Sequence, residues 1–316
     1  MARRFVWMLC LAVAAVALVP AVRAQAPVQP PAGYPASGGT PIVTLITPGA
    51  EPRRPLRFVI PGGRQDHMTM DMTLGLTMSM PGMEMPSMKM PTMRMGVDLG
   101  VTSVSAAGDM SFKVSYTDMK WVNTEAVDPA IVAALQAMPL DITKISGTGV
   151  MNSRGIGRNM KIDLPKDLDP QMTQMFNSMS DALGSFTVPF PEEAVGVGAR
   201  WEVRQSPVAG GVSSFQKIVV EVTGLDAGTV TLKTTTEQQA PPQPMKPDNM
   251  PAGATASLEK MSGSGTSTIR VPFDSLVPTS DATVTTSLTM SVNMAGQSQN
   301  VTVQTTVGAA IRPVKK

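Results

Sequence analysis

The residues with the clearest chemical potential are thioethers in a short repeat. Residues 80–95, MPGMEMPSMKMPTMRM, contain the unit Met-Pro-x-Met-x three times. Thioether sulfur is a soft ligand that suits Cu(I) and Ag(I), and Met-x-Met and Met-x-x-Met spacings resemble those of periplasmic copper handlers. His67, the one histidine of the sequence, precedes the repeat. The candidate metal ligands are therefore Met80, Met83, Met85, Met88, Met90, Met93, Met95 and His67.

Two other interpretations of the same methionines compete with metal binding. Met side chains fill irregular gaps in apolar cores, so the repeat could simply fold back on neighbouring apolar surface. Flexible Met-rich surfaces also accommodate ligands of many shapes. The hypothesis that we prefer is an apolar rim for a hydrophobic small molecule, a lipid or an envelope protein. Its candidate residues are Met83, Met85, Met88, Met90, Met172, Met175, Phe176 and Met179.

Few groups in the sequence suit catalysis. His67 lies on the polar phase of a predicted strand, where a solvated histidine is expected. Two Ser-x-x-Lys matches, at 214–217 and 257–260, lie at strand starts or in a loop, whereas acyl-enzymes with this motif place the serine at a helix start. No phosphate loop, nucleophile elbow or metalloprotease helix is recognisable. We expect a protein that is not an enzyme and needs no cofactor. A purely structural or interaction module of the cell envelope is a further alternative to a binding protein.

The elements that position these residues are mainly strands. Apolar residues alternate with polar ones from Met68 to Met80, which is typical of a half-buried strand. A five-residue unit is odd, so the repeat would send successive methionines to opposite faces of a strand, and its three prolines lack the N–H of a central ladder. The repeat is therefore predicted to connect two antiparallel arms, Met68–Met80 and Met93–Val101, with Met70 facing the core and Thr69 facing outward.

Further strands and two helices follow from local patterns. A hairpin is predicted around the turn at 106–109, and Thr- and Val-rich strands at 229–235, 266–271, 284–292 and 301–307. Asp128-Pro129 predicts a helix start for residues 130–138, and Asp169-Pro170 predicts a helix over 170–183 with one apolar face. The predicted fold is a large curved antiparallel sheet, a half-barrel, with one or two helices packed on it; a two-sheet sandwich is the alternative.

The residues that precede the predicted β domain differ from it in composition. Two arginines, an apolar run and Val22-Arg23-Ala24 predict a signal peptide over residues 1–24 and an exported protein, periplasmic or extracellular. The Pro-, Ala- and Gly-rich residues 25–55 are predicted to be an extended tether. Removal of the signal would leave 23 basic and 24 acidic side chains and no cysteine. This balance argues against nucleic acid as a partner and excludes disulfides and thiolate metal sites.

An internal similarity suggests that the β domain, residues 56–316, contains two related halves. Residues 144–149, KISGTG, recur as KMSGSG at 260–265, and the turn sequence at 101–108 has an echo at 222–228. The halves are predicted to cover about 56–165 and 186–316, joined by the helix at 170–183. Two unrelated glycine-rich turns are the alternative explanation.

Several segments resemble a family of exported bacterial β-rich proteins of unknown function. They are residues 189–203, PFPEEAVGVGARWEV, the run from Gly263 to Asp274, and the Met-rich hairpin. The resemblance implies an exported protein and a β fold but no reaction. A looser architectural likeness to lipoprotein carriers of the half-barrel type implies a curved sheet over an apolar cavity.

Overall fold

The computed structural model describes residues 28–80, 83–84, 88–137, 141–165, 188–209, 211–245, 255–294 and 297–315. The strands before residue 166 are β1 (Ile42–Thr47), β2 (Gln65–Met80), β3 (Met83–Glu84), β4 (Met88–Lys89), β5 (Thr92–Val104), β6 (Met110–Val122), β7 (Ser146–Met151) and β8 (Gly157–Asp163). The later strands are β9 (Arg200–Gln205), β10 (Val208–Ala209), β11 (Val212–Ser213), β12 (Phe215–Leu225), β13 (Thr229–Ala240), β14 (Gln243–Met245), β15 (Thr255–Pro272), β16 (Thr279–Met294) and β17 (Gln297–Val314).

Most of these strands form one antiparallel sheet. Its order is β1-β9-β12-β13-β15-β16-β17-β2-β5-β6-β7-β8, with β14 beside β15 and with β3 and β4 beside β2. Within the described residues β1 pairs only with β9 and β8 only with β7, so the sheet is not closed into a barrel. The predicted fold class, a large curved antiparallel sheet, is confirmed.

The curvature brings the two ends of the sheet together over a common core. One buried cluster contains Val101, Met110 and Met151 from β5, β6 and β7 together with Trp201, Val203 and Val220 from β9 and β12. A second cluster lies under the other part of the sheet and is built around Met70, Met95, Val97 and Tyr116. Burial of these inward-facing side chains supplies the main stabilisation of a chain that lacks disulfides in its described part.

The predicted pairing of the Met-rich arms is confirmed. Met70 lies opposite Met95 and Met72 opposite Met93 in the β2–β5 ladder. Met70 and Met95 are buried and Thr69 is partly exposed, but Leu74, which belongs to the same apolar series of β2, is exposed. The repeat connects the two strands, as predicted, and parts of it also run back beside β2: Met83 lies opposite Met80, and Met88 opposite Leu76.

Helices contribute little to the described part of the chain. The helix predicted at 130–138 is α1 (Pro129–Gln136), where the Asp128 carboxylate accepts a hydrogen bond of 2.8 Å from the Ala130 N–H. A single 3-10 turn follows (Ile142–Lys144). The helix predicted at 170–183 lies outside the described residues. None of the helices in the described ranges has the length and apolarity that a membrane crossing requires.

The described part of the predicted tether, residues 28–55, is not extended away from the domain. Strand β1 pairs with β9, and Val43 and Leu45 pack against the first buried cluster. The Tyr34 ring lies edge-on to the Phe215 ring at a centroid distance of 5.6 Å. The prediction of a tether was wrong here because it was based on the Pro and Gly content of the whole segment. It overlooked one short strand-forming run, IVTLIT, in which alternate residues reach the core.

Candidate ligand cavity

The sequence-predicted rim residues are distributed along the β2–β5 connection. Met80 ends β2, Met83 begins β3 and Met88 begins β4, but the positions of these three side chains lie outside what the structure describes. Met85 lies wholly outside the described residues. Met90 is partly buried, and its N–H donates a hydrogen bond of 3.1 Å to the Leu74 carbonyl. The backbone thus holds the repeat against β2.

The alternative metal set is divided between two faces of the sheet. Met95 is buried and Met93 packs against the same cluster, so both lie on the inward face. His67 alternates with the inward Met68 and therefore faces outward. Its Nδ1 lies 2.6 Å from Oδ1 of Asp98. No group of three His, Cys, Asp or Glu side chains in the described ranges could hold a metal ion.

The four helix residues proposed for ligand binding, Met172, Met175, Phe176 and Met179, lie outside the described residues. The two Ser-x-x-Lys motifs are described. The Ser214 hydroxyl donates to the Pro207 carbonyl and Lys217 pairs with Glu237 at 2.7 Å. Ser257 donates to Glu259. Both serines are engaged beside or within strands, where the geometry of a helix-start nucleophile is absent.

An apolar cavity lies on the inward face of the sheet, between the β5–β8 end and the facing strand β15. Its volume is about 150 Å³. Four methionines line it, two from β2 and one each from β7 and β8: Met68, Met70, Met151 and Met160. The other strand residues that line it are mostly aliphatic and include Val97, Leu99, Val114, Ile162, Ile269 and Ile311. Loop residues Phe58, Val188 and Leu276 complete the wall.

The cavity exists partly because one inward position of β7 has no side chain. Gly147 lies opposite Val114 of β6 and lines the cavity. A Cβ at Gly147 would meet only the Lys161 carbonyl oxygen, at 3.1 Å, and Cγ1 of Ile162, at 3.8 Å. The next inward glycine, Gly149, is different because Met160 and the Phe112 ring cover it, and a Cβ there would lie 2.8 Å from Cζ of that ring and closer still to Sδ of Met160. A Cβ at Gly147 would thus be tight only against the Lys161 backbone, whereas one at Gly149 would overlap two side chains.

One polar side chain, Tyr116 of β6, stands among the inward-facing residues of the cavity. Its exposed fraction is 5 %, and it lies opposite Val97 of β5. Burial raises the pKa of the Tyr116 phenol, since desolvation disfavours the phenolate. The hydroxyl is therefore a neutral hydrogen-bond donor at physiological pH.

Sequence reasoning placed Met68 and Met70 in the core but did not identify a cavity beside them. It also missed Met151, Met160 and Gly147. A usable pattern was present in β8, where Met160 and Ile162 alternate with charged residues. No periodicity could show that β8 and β15 line the same space, because that depends on the curl of the whole sheet.

Comparison of the chain with protein-family models and with curated proteins finds no match. The geometry of the cavity therefore carries the functional argument by itself.

Proposed function

We propose that this protein is a non-enzymatic binding protein for a small hydrophobic molecule. The observation that carries the proposal is the cavity of about 150 Å³ whose inward-facing wall is formed mainly by methionine and aliphatic side chains, with three aromatic ones. An apolar cavity of about this size in another protein stays dry and binds benzene. A single ring or one end of an acyl chain is the ligand size that this cavity accommodates.

The composition of the wall favours adaptable binding over chemistry. Met side chains have several rotatable bonds and polarisable sulfur, so four of them can adjust to ligands of different outline. The nearby carboxylates and cations of the described strands lie on the outward phase, as Lys161 and Asp163 of β8 do beside inward Met160 and Ile162. Apart from the Tyr116 phenol, the inward-facing side chains among the described lining residues are apolar, which favours burial of a ligand over chemistry on it.

The proposed location is the cell envelope or the medium, since the sequence begins with the features of a secretory signal. In that setting the ligand would be a lipid fragment or another hydrophobic molecule, or the apolar side chain of an envelope protein. The methionine repeat is proposed as an additional apolar rim, because its backbone lies against β2, which also contributes Met68 and Met70 to the cavity.

Binding of the uncharged methyl ester of a dansyl-labelled undecanoate, followed by its fluorescence, tests the proposal. Val114→Phe should abolish binding, because a ring at this position would extend over Gly147 as the Phe112 ring extends over Gly149. Val104→Phe adds the same bulk at an exposed position of β5 and should bind as the parent does.

A second variant, Gly147→Val, fills the same space from β7 and guards against an effect peculiar to position 114. Thermal unfolding establishes that each variant is folded. Failure of the parent protein to bind this probe and a small arene such as indole would refute the proposal, as would binding by folded Val114→Phe at the parent affinity.

A further inference from the structure

The Tyr116 hydroxyl is the feature of the cavity that a purely apolar ligand leaves unexplained. Within the described residues it makes no hydrogen bond to the protein. Every solvent-inaccessible side-chain nitrogen or oxygen in the described part of the chain does have a hydrogen-bond partner. Since Tyr116 is 5 % exposed and lines the cavity, its hydroxyl reaches the cavity space.

An unpaired phenol in such a place is energetically unfavourable. In an apolar cavity that stays dry, this hydroxyl exchanges its hydrogen bonds to water for none, whereas phenylalanine would fill the same volume without that loss. The side chains that share its inward face, among them Val97, Val114 and Ile311, offer no acceptor, and Ser146, which also borders the cavity, lies on the outward phase of β7. An occupant of the cavity is in position to supply the missing acceptor.

We propose that the ligand carries one acceptor oxygen, a ketone, ester or ether, that receives a hydrogen bond from the Tyr116 hydroxyl while the rest of the molecule is apolar. This inference rests on the proposed binding function and narrows its ligand class. A carboxylate ligand is disfavoured, because Lys161, the cation among the lining residues, is exposed on the outward phase of β8 and does not compensate the desolvation of an anion in the apolar wall. A pure hydrocarbon is disfavoured because it leaves the donor unpaired.

Two ligands of nearly equal shape separate the oxygen from the apolar body. Acetophenone and isopropylbenzene differ in having a carbonyl oxygen or a methyl group at the same place. Their affinities are measured by displacement of the dansyl probe from the parent protein and from Tyr116→Phe, which keeps the ring and removes the hydroxyl. The parent should prefer acetophenone about three- to tenfold, the range of one neutral hydrogen bond. Tyr116→Phe should lose this preference.

The thermal stability of the free proteins provides an independent readout. Tyr116→Phe should melt at the parent temperature or above it, since no protein hydrogen bond is removed. A clearly lower melting temperature would show that the hydroxyl is satisfied in the free protein and would overturn the inference.

The inference and the proposed function fail in different ways. Equal preference for acetophenone in the parent and in Tyr116→Phe, or no preference in the parent while both ligands bind, overturns the inference alone. Absence of binding of both ligands and of the probe overturns the proposed function.

Discussion

Two three-stranded units of the sheet, β5–β6–β7 and β12–β13–β15, have the same strand order but different interiors. In each unit the first two strands form a hairpin with a register shift just after an inward valine, Val101 or Val222. Opposite these valines lie Phe112 and Leu232. On the third strand the matching residues are Gly149 and Ile269. The first unit thus has phenylalanine beside glycine where the second unit has leucine beside isoleucine.

The two units also differ at the next inward position along the strands. Val114 lies opposite Gly147 in the first unit, whereas Thr234 lies opposite Ser267 in the second, with 2.7 Å between their hydroxyl oxygens. No side chain compensates for Gly147, and a cavity opens there. The comparison shows that the same backbone arrangement can be filled or left open by one inward residue.

The repeated hexapeptides do not occupy matching positions in this comparison. Gly149 of KISGTG lies opposite Phe112, but Gly265 of KMSGSG lies opposite Thr236 rather than Leu232. The third strands therefore correspond in order but not in the register that the hexapeptides imply. The origin of the two halves by duplication stays a prediction.

The largest effect is expected from the filled part of the core. Trp201→Ala should destabilise the protein by about 3–5 kcal/mol, because a fully buried indole is removed and its Nε1–H, which donates to the Pro189 carbonyl at 2.9 Å, is lost. Trp121→Ala, at the end of β6 where the side chain is partly exposed, is the control and should cost much less. Urea unfolding measures both, and similar losses of stability would contradict the placement of Trp201 in the filled core.

A smaller loss of stability is expected from a larger side chain at Gly149, where the first unit has no free space. Gly149→Val should cost about 1–3 kcal/mol, since the new side chain would overlap the Phe112 ring. The double variant Gly149→Val with Phe112→Leu imitates the Leu232–Ile269 pair of the second unit and should recover part of the loss. Urea unfolding of the two single variants and the double variant gives the coupling free energy between positions 112 and 149. Strict additivity would show that the two positions do not share one space.

The first half should also respond to acid through its outward face. Arg94 donates to both Asp71 carboxylate oxygens, at 2.6 and 2.5 Å, and this hydrogen bonding lowers the pKa of Asp71. The resulting stabilisation is present above the unfolded-state pKa, about 3.9, and is lost as pH falls through the lower folded-state pKa. Asp71→Asn should therefore be slightly less stable than the parent at pH 7, with the difference shrinking in acid.

Urea unfolding from neutral pH down to strongly acidic pH measures this difference. Asp163→Asn, an exposed carboxylate on the edge strand β8, is the matched control. A difference between Asp71→Asn and the parent that does not depend on pH would show that the substitution acts by some route other than the Asp71–Arg94 pair.

The smallest effect is expected from an exchange within the methionine repeat. Replacement of Met83, Met85, Met88 and Met90 by Leu keeps apolar bulk without sulfur, so binding of the dansyl probe should stay within about twofold of the parent. Replacement of the same four by Ser should weaken it if they form an apolar rim. Competition for Cu(I) with a chelator tests the alternative: equal loss of Cu(I) affinity in both variants would assign the repeat to metal binding.

The sequence by itself determined the strand-forming segments, the pairing of the Met-rich arms and the helix at Pro129–Gln136. These follow from alternation, turn residues and capping, which act over a few neighbouring residues. The same local reasoning placed Met70 and Met95 inside and His67 outside. It failed at β1, where one strand-forming run is embedded in a segment whose average composition is that of a linker.

Only the tertiary structure decided that residues from β2, β7, β8 and β15 line one cavity. These strands are far apart in the sequence, and their inward faces meet because the sheet curls through the accumulated twist of many strands. The same holds for Gly147 and Tyr116, because a glycine and a tyrosine on neighbouring strands carry no signal of their own in the sequence. Gly147 acquires a role because a cavity lies beside it. Tyr116 acquires one because packing leaves its hydroxyl without a hydrogen-bond partner within the described residues.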